Sequence, residues 1–385
     1  MPKYGAFSDW ISGAKSSVYS TLAKRLQDYA GETYPLHIGD TFMEPAAGCR
    51  MEDFDVDTNP GMHRYSSVQG HRPLLERLVE HVNGRVDTQI GIENILVTAG
   101  ATGGLGAIIG ALVSPGDEVL ILAPHWPLIA GIVRCFHGVP VRVPFFGEGG
   151  LDPQKAIRRL ETYRTDQTIA VYINTPNNPT GELLTADMVA AIAAWARDQN
   201  LWILSDEVYE EYVYSAASHV YAVDFAPERT IACHSFSKSY GQAGNRAGYL
   251  VGPKDASVAA KKVSTNTYYS APTASQLAAL AALDLAEPWV AHAREQYRDV
   301  GNSVAELLGV PAPQGSTFLF VDVREHLDES GLDGFLSRCV ESGLLIAPGP
   351  AFGPYPTYVR ICFTSVEPAR VLRGARVLAG LMGRL

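Results

Sequence analysis

The chain has 385 residues, 46% of them hydrophobic, and a formal net charge of -10. That length exceeds one minimal domain and fits a large domain with a smaller satellite. Without a clustered basic stretch the acidic balance argues against nucleic acid as a partner, and five dispersed cysteines without CxxC pairs argue against metal ligation or a disulfide framework.

In chain order, residues 1–10 place no charged head before an apolar run, so no signal peptide is expected. The apolar-rich stretch 100–113 is glycine-punctuated and too short for a bilayer. A cytoplasmic protein without a membrane partner is the expectation, its cysteines small buried residues in a reducing compartment. Residues 94–98 (NILVT) read as a strand and 101–112 as a small-residue helix. Further strands are expected at 118–122, 139–143, 169–173, 201–204 and 230–234, with helices at 127–136 and 185–199. Continuous apolar strands separated by helices indicate an α/β fold with a mostly parallel sheet covered on both faces. The sheet should end near Gly252, followed by a helical stretch over 272–306. From Gly315 onward, FLFVDV, LLIAPG and YVRICF alternate with amphipathic helices as a separate α+β unit. The expected division is an N-terminal segment (1–45) packing with the small unit, a large domain (46–295) and a C-terminal small domain (296–385).

In open α/β sheets, ligands bind beyond the carboxyl ends of the strands. NILVT is followed by Ala99-Gly100-Ala101-Thr102-Gly103-Gly104, where a helix start offers N–H groups to an anion. After 169–173 comes Asn177-Asn178-Pro179-Thr180-Gly181, a rigid turn able to aim an amide. After 201–204 comes Ser205-Asp206-Glu207-Val208-Tyr209, whose carboxylates could equally cap a helix. Ser235-Phe236-Ser237-Lys238 follows 230–234, and Arg246 lies eight residues beyond Lys238. Between Lys24 and Lys254 the lysines are Lys155 and Lys238. Lys155 sits in a polar stretch that reads as a solvated helix start. Lys238 follows an apolar strand, where shielding from water lowers an amine's pKa and frees it to form an imine.

Taken together, HRYSSVQGHRPLLERL, VTAGATGGL, PNNPTG, SDEVY, SFSKSYGQAGNRAGY and YVRICF resemble the class I/II aminotransferases, fold-type I enzymes that use pyridoxal 5'-phosphate. The resemblance runs from about Leu36 to Arg360. It implies a seven-stranded, mostly parallel sheet in the large domain and a homodimer with active sites at the interface. By the same resemblance, Lys238 would carry the cofactor as a Schiff base and shuttle a proton, and Asp206 would pair with the pyridine nitrogen. Tyr209 and Asn178 would hydrogen-bond the phenolic oxygen, and Trp126 would stack on the ring. Ser235, Arg246, Ala101 and Thr102 would hold the phosphate, helped by Tyr65 from the neighbouring subunit. Arg360 would grip the substrate α-carboxylate, with Gly39 and Asn178 beside it.

The segment Gly39-Asp40-Thr41 departs from the usual Gly-acidic-Pro pattern, which puts substrate choice in doubt. Phe42, Tyr268 and Tyr269 are aromatic candidates for the pocket or for the core. Transamination between an α-amino acid and a 2-oxo acid is the leading expectation. Elimination, replacement, cyclisation or carbon–carbon bond formation on an amino acid such as S-adenosylmethionine is the alternative, because the same cofactor serves all of them. A ligand-sensing regulator domain is a third reading, disfavoured by the short, non-basic stretch ahead of Gly39.

Overall fold

A computed structural model describes residues 29–146 and 152–384, with positions 5, 7, 9–13, 24 and 26 ahead of them. The reading of the extreme N-terminus lies largely outside the described residues. The first strand, β1 (Tyr34–Pro35), is followed in the chain by β2 (Ile95–Thr98), β3 (Glu118–Ala123), β4 (Val139–Pro144), β5 (Thr168–Asn174), β6 (Trp202–Asp206), β7 (Thr230–Ser235) and β8 (Gly248–Val251). Among the described residues, β2 to β8 form a seven-stranded sheet in the order β2-β8-β7-β6-β5-β3-β4. The pairs are parallel except that β8 runs antiparallel to β2 and to β7.

Strand side chains alternate between faces, and both faces here are dry. On β3, Leu120 and Leu122 pack with Val189 and Ile192 of the helix Ala186–Asp198. Their neighbours Val119 and Ile121 pack with Ile108 and Ile109 of the helix Gly100–Leu112. Gly104 lets that second helix lie close against the sheet. A Cβ there would fall 3.0 Å from Leu250 Cδ2 and 3.1 Å from Thr98 Oγ1.

A smaller unit follows, with β9 (Phe318–Asp322), β10 (Leu344–Leu345), β11 (Ala347–Pro348) and β12 (Tyr358–Cys362). Strands β11, β12 and β9 form an antiparallel sheet in that order, while β10 pairs in parallel with β1. Leu36 joins Tyr297, Leu319, Phe335, Val359 and Leu378 in one core. The Phe42 amide donates to the Thr364 carbonyl, and the Thr364 hydroxyl to the Asp40 carbonyl. The segment around Gly39 is thereby held against β12.

The structure corrects several expectations. The stretch 272–306 is two helices, Thr273–Leu285 and Glu287–Leu308, because Pro288 fits the first turn of a helix and not its interior. The segment LLIAPG breaks at Ile346, so that β10 serves one small sheet and β11 the other. A helix at Lys254–Thr267 was not expected, since its run of Ser, Thr and Asn lowers helix propensity. Cys135 is exposed, whereas the other four cysteines are buried and all five are free thiols. No helix among the described residues is long and apolar enough to cross a membrane.

Candidate active site

The carboxyl ends of β2, β5, β6 and β7 meet at one edge of the sheet. Because β8 runs the other way, the residues just before it, including Arg246, arrive at that same edge. A cavity of about 580 Å³ opens there, bordered by Gly39, Ala101, Thr102, Trp126, Asn178, Asp206, Tyr209, Ser235, Lys238, Arg246 and Arg360. Eleven of the twelve site residues expected from the sequence thus share one space.

Asp206 ends β6 and is buried. Its Oδ2 accepts a 2.5 Å hydrogen bond from the Tyr172 hydroxyl, while Oδ1 is buried with no partner in the protein. Burial raises the carboxyl to about 6, against the lowering effects of the Tyr172 hydroxyl and the Val208 N–H. Asn174 ties this strand end to the next turn: its Nδ2 donates to the Asp206 carbonyl at 2.8 Å, and its Oδ1 accepts from the Asn178 amide at 2.7 Å. Tyr209 stands edge-on to Phe318 and interacts with the Asn178 side chain, and burial pushes its phenol upward.

Lys238 lies in the short helix Phe236–Ser239 directly after β7. Its Nζ donates to the Gly39 carbonyl at 2.5 Å and lies 3.5 Å from Asp40 Oδ1. The Asp40 carboxylate is held in turn by the Thr41 amide at 2.9 Å, a bond that a proline at position 41 could not make. Arg246 has φ +58 and its Nη1 donates to the Ala243 carbonyl at 2.8 Å. Gly100, at φ +70, gives it room, because a Cβ there would sit 2.6 Å from Arg246 Nη2. With Ser235 and the helix-start amides at Ala101 and Thr102, this guanidinium forms a donor set for a phosphate-sized anion.

Arg360 is 4% exposed, at the middle of β12. Its guanidinium carbon lies 4.3 Å from the Phe318 ring centre and 4.7 Å from that of Phe352. Nη1 donates to Asn178 Oδ1 at 3.0 Å and Nη2 to the His37 carbonyl at 2.6 Å, leaving Nε without a partner. Among the described residues no carboxylate pairs with it. A buried cation without an anion is costly, so the arrangement is poised for an anionic ligand.

Tyr65 is the expected residue that the structure keeps apart. It is 89% exposed, borders a different, more open cavity, and its ring lies 5.1 Å from that of Tyr269. Two pocket candidates turn out to be packing residues: Phe42 meets Tyr297 edge-on, and Tyr268 packs on the helix at Gly103. Lys155 is exposed at a helix start capped by Asp152, as expected. Tyr172 and Asn174 escaped the sequence reading, while His37 and Asp40 entered it only as members of the segment around Gly39. A signal existed for Tyr172, since a tyrosine inside an otherwise apolar strand needs a partner for its hydroxyl. Glu207 is buried, accepting from Ser205 Oγ at 2.6 Å and from the Ala222 amide at the start of the short helix Ala222–Asp224 at 3.3 Å, and facing His219 Nε2 at 3.2 Å.

A family profile described as aminotransferase class I and II matches residues 43–378. A probable aspartate/prephenate aminotransferase of Thermus aquaticus is 32% identical over 80% of this chain and 81% of its own. An arginine–pyruvate transaminase of Pseudomonas aeruginosa is 28% identical over 91% of both chains. The solved structure of Thermus thermophilus aspartate aminotransferase with maleate superposes with a TM-score of 0.89 at 26% identity, covering 98% of this chain and 100% of that one.

Proposed function

Because the chain belongs to the class I and II aminotransferases and is itself an aminotransferase, we propose that it uses pyridoxal 5'-phosphate held at Lys238 to move an amino group between an α-amino acid and a 2-oxo acid. One observation carries this reading: a single cavity is bordered by a lysine amine, a partnerless buried carboxylate oxygen and a buried guanidinium without an acid. The residues fit the group. The complement of Asp206 Oδ1 is a protonated ring nitrogen, and the complement of Arg246, Ser235 and the amides at Ala101 and Thr102 is a phosphate.

When bound, the cofactor supplies an aldehyde that condenses with amines and a ring that accepts electrons from the substrate Cα. Every other task falls to the chain. Lys238 would hold the cofactor, and its amine would carry a proton to and from Cα. Asp206, oriented by Tyr172, keeps the ring nitrogen protonated. Tyr209 and Asn178 would hydrogen-bond the phenolic oxygen, and Trp126 would stack on the ring. Arg360 receives the α-carboxylate beside Gly39 and Asn178, and so sets which substrate bond faces Lys238. Tyr65 completes the phosphate site of a second subunit in a homodimer, a role supported by its exposure and its separation from its own cavity. The division into residues 1–45, 46–295 and 296–385 belongs to the same proposal.

The direct test adds an amino donor to the purified, cofactor-loaded protein. The visible band should fade as the amino form accumulates, and mass spectrometry should find a 2-oxo acid. A product that has lost a side-chain leaving group would point instead to elimination or replacement.

Asp206 also yields a pH prediction. Its folded pKa of about 6 exceeds the ordinary unfolded value of about 3.9. Without cofactor this group therefore favours the folded state below that window, and the contribution is lost as pH rises through about 6. Pairing with a protonated ring nitrogen reverses the sign, since it requires the carboxylate. The rise in Tm conferred by pyridoxal phosphate is thus expected to be larger at about pH 8 than at about pH 5. Tyr172→Phe removes a donor to the carboxylate and should move the crossover to higher pH. An increment independent of pH in both proteins would separate Asp206 from the ring.

A further inference from the structure

We propose that His234 is a positioning residue: from the far side of the sheet it holds Glu210, and through the turn that Glu210 shares with Tyr209 it sets how firmly Tyr209 donates to the cofactor's phenolic oxygen. This rests on the proposed function and deepens it, because it names what fixes the cofactor-facing end of β6.

The turn after β6 has two sides. Asp206 and Tyr209 border the large cavity, whereas Glu210 and Glu211 border a separate one. Backbone bonds tie these residues into one piece. The Glu207 amide donates to the Cys233 carbonyl at 2.9 Å, the Glu210 amide to the Glu207 carbonyl at 3.0 Å and the Tyr212 amide to the Tyr209 carbonyl at 2.8 Å. The same turn reaches the lysine helix, since the Tyr212 hydroxyl donates to the Lys238 carbonyl at 2.8 Å.

On β7, Cys233 packs on the face of the sheet that carries Tyr172 and Leu204, so His234 points to the other face, where its ring stacks on Tyr249 at 4.7 Å. Its Nδ1 lies 2.9 Å from Glu210 Oε1 and its Nε2 4.0 Å from Glu207 Oε2. Burial alone would push this imidazole's pKa down, yet the Glu210 carboxylate, with Glu207 beyond it, raises it above the ordinary value. Charge balance points the same way. The side chains of Glu207, Glu210 and Glu211 are 0%, 7% and 8% exposed, and Arg85 and Arg294 supply two cations for these three acids. A protonated His234, with a carboxylate at each nitrogen, brings the third. His219, 3.2 Å from Glu207, and His81 and Tyr221, which share a small cavity with His234, complete the surroundings. All three acids are covered by this chain alone, so the network asks nothing of a second subunit.

Without His234, Glu210 keeps only the longer contact with Arg85, at 3.6 Å. A buried carboxylate that loses a partner moves toward the one it retains, because leaving it unsatisfied costs more than the lost bond. The turn follows, and Tyr209 with it. A donor to the phenolic oxygen draws off negative charge and makes the protonated Lys238 linkage a stronger acid. A loosened Tyr209 therefore raises the pH at which the visible band of the loaded protein changes.

The test titrates that band against pH in His234→Leu, His234→Asn and Glu210→Gln, each alone and combined with Tyr209→Phe. His234→Asn keeps an N–H donor near the place of Nδ1, and Glu210→Gln keeps the shape of the side chain while removing its charge. His234→Leu and Glu210→Gln should raise the midpoint by about half a unit or more, and His234→Asn by less than about half of that. With Tyr209→Phe present these shifts should vanish, because no hydroxyl is left to move. Shifts of equal size with and without Tyr209→Phe would mean a charge acting through space, and no shift would mean that the turn stands without His234; either overturns the inference. Should His234→Leu not fold, Glu210→Gln decides alone. A second readout needs no cofactor: by NMR the His234 ring of the cofactor-free protein should titrate above about 6.5, and lower in Glu210→Gln. A ring that titrates below that value in the wild type overturns the inference and leaves amino transfer standing. If the wild type forms no visible band with pyridoxal phosphate, the proposed function itself fails, and this inference with it.

Discussion

Lys238→Ala is expected to lower amino-transfer turnover by about ten-thousand-fold or more, because one substitution removes both the proposed covalent anchor and the proposed proton carrier. The fold should survive. In the structure Nζ has a hydrogen bond to the Gly39 carbonyl and a long contact with the half-exposed Asp40 carboxylate. Losing these is worth on the order of 1 kcal/mol. Lys238→Arg sharpens the test. The guanidinium keeps a positive charge near Gly39 and Asp40 but stays protonated at any working pH, so it can neither condense with an aldehyde nor exchange a proton at Cα. It should therefore be as inactive as the alanine variant while unfolding near the wild-type temperature. Borohydride reduction followed by peptide mapping should tag the Lys238 peptide in the wild type and in neither variant. Turnover within tenfold of wild type in Lys238→Ala would assign the chemistry to another amine.

Much of this site was legible because it is built where strands end. Asp206 and Ser235 end β6 and β7 and Lys238 comes three residues after β7, and the strands themselves are buried runs that announce a covered sheet. Arg360 was legible for a related reason: an arginine inside an apolar strand needs an anion, and the structure supplies none among the described residues. The unread part consists of contacts made at a distance. Nothing local says that the Gly39 carbonyl will meet an amine 199 residues away, or that Tyr172 on β5 will reach Asp206 on the neighbouring strand β6. Parallel register sets Asn174 opposite Asp206 and puts Tyr172 one diagonal step away, and register is not visible in a continuous apolar run. The helix at Lys254–Thr267 was hidden by its polar composition, and its stability comes from packing on the helix Gly100–Leu112 rather than from propensity. Tyr65 is a different case. The resemblance singled it out, but within one chain it borders a cavity apart from the one that gathers the other site residues.

Arg360→Lys should cut kcat/KM for the amino donor by about a hundredfold, near 3 kcal/mol, with most of the change in KM. The reason lies in the geometry around the guanidinium. Two of its nitrogens are fixed by Asn178 and the His37 carbonyl, Nε is left over, and the planar group is sandwiched by Phe318 and Phe352. A lysine ammonium cannot present a fork to a carboxylate and stacks poorly between two rings. Arg360→Leu discriminates further. If the arginine were a structural ion-pair member, its loss would expose an uncompensated acid and destabilise the fold by several kcal/mol. With no acid paired to it, removing the buried cation relieves a desolvation cost while leaving the Asn178 and His37 oxygens unsatisfied, two effects of opposite sign. The ligand-free leucine variant should therefore unfold within about 1–2 kcal/mol of the wild type, yet bind no carboxylate. Thermal unfolding and calorimetry with 4-methylpentanoate measure the two quantities separately. A large loss of stability with carboxylate binding retained would return Arg360 to the scaffold. Stability retained with binding lost means that the protein carries an unpaired buried charge so that the substrate can complete it.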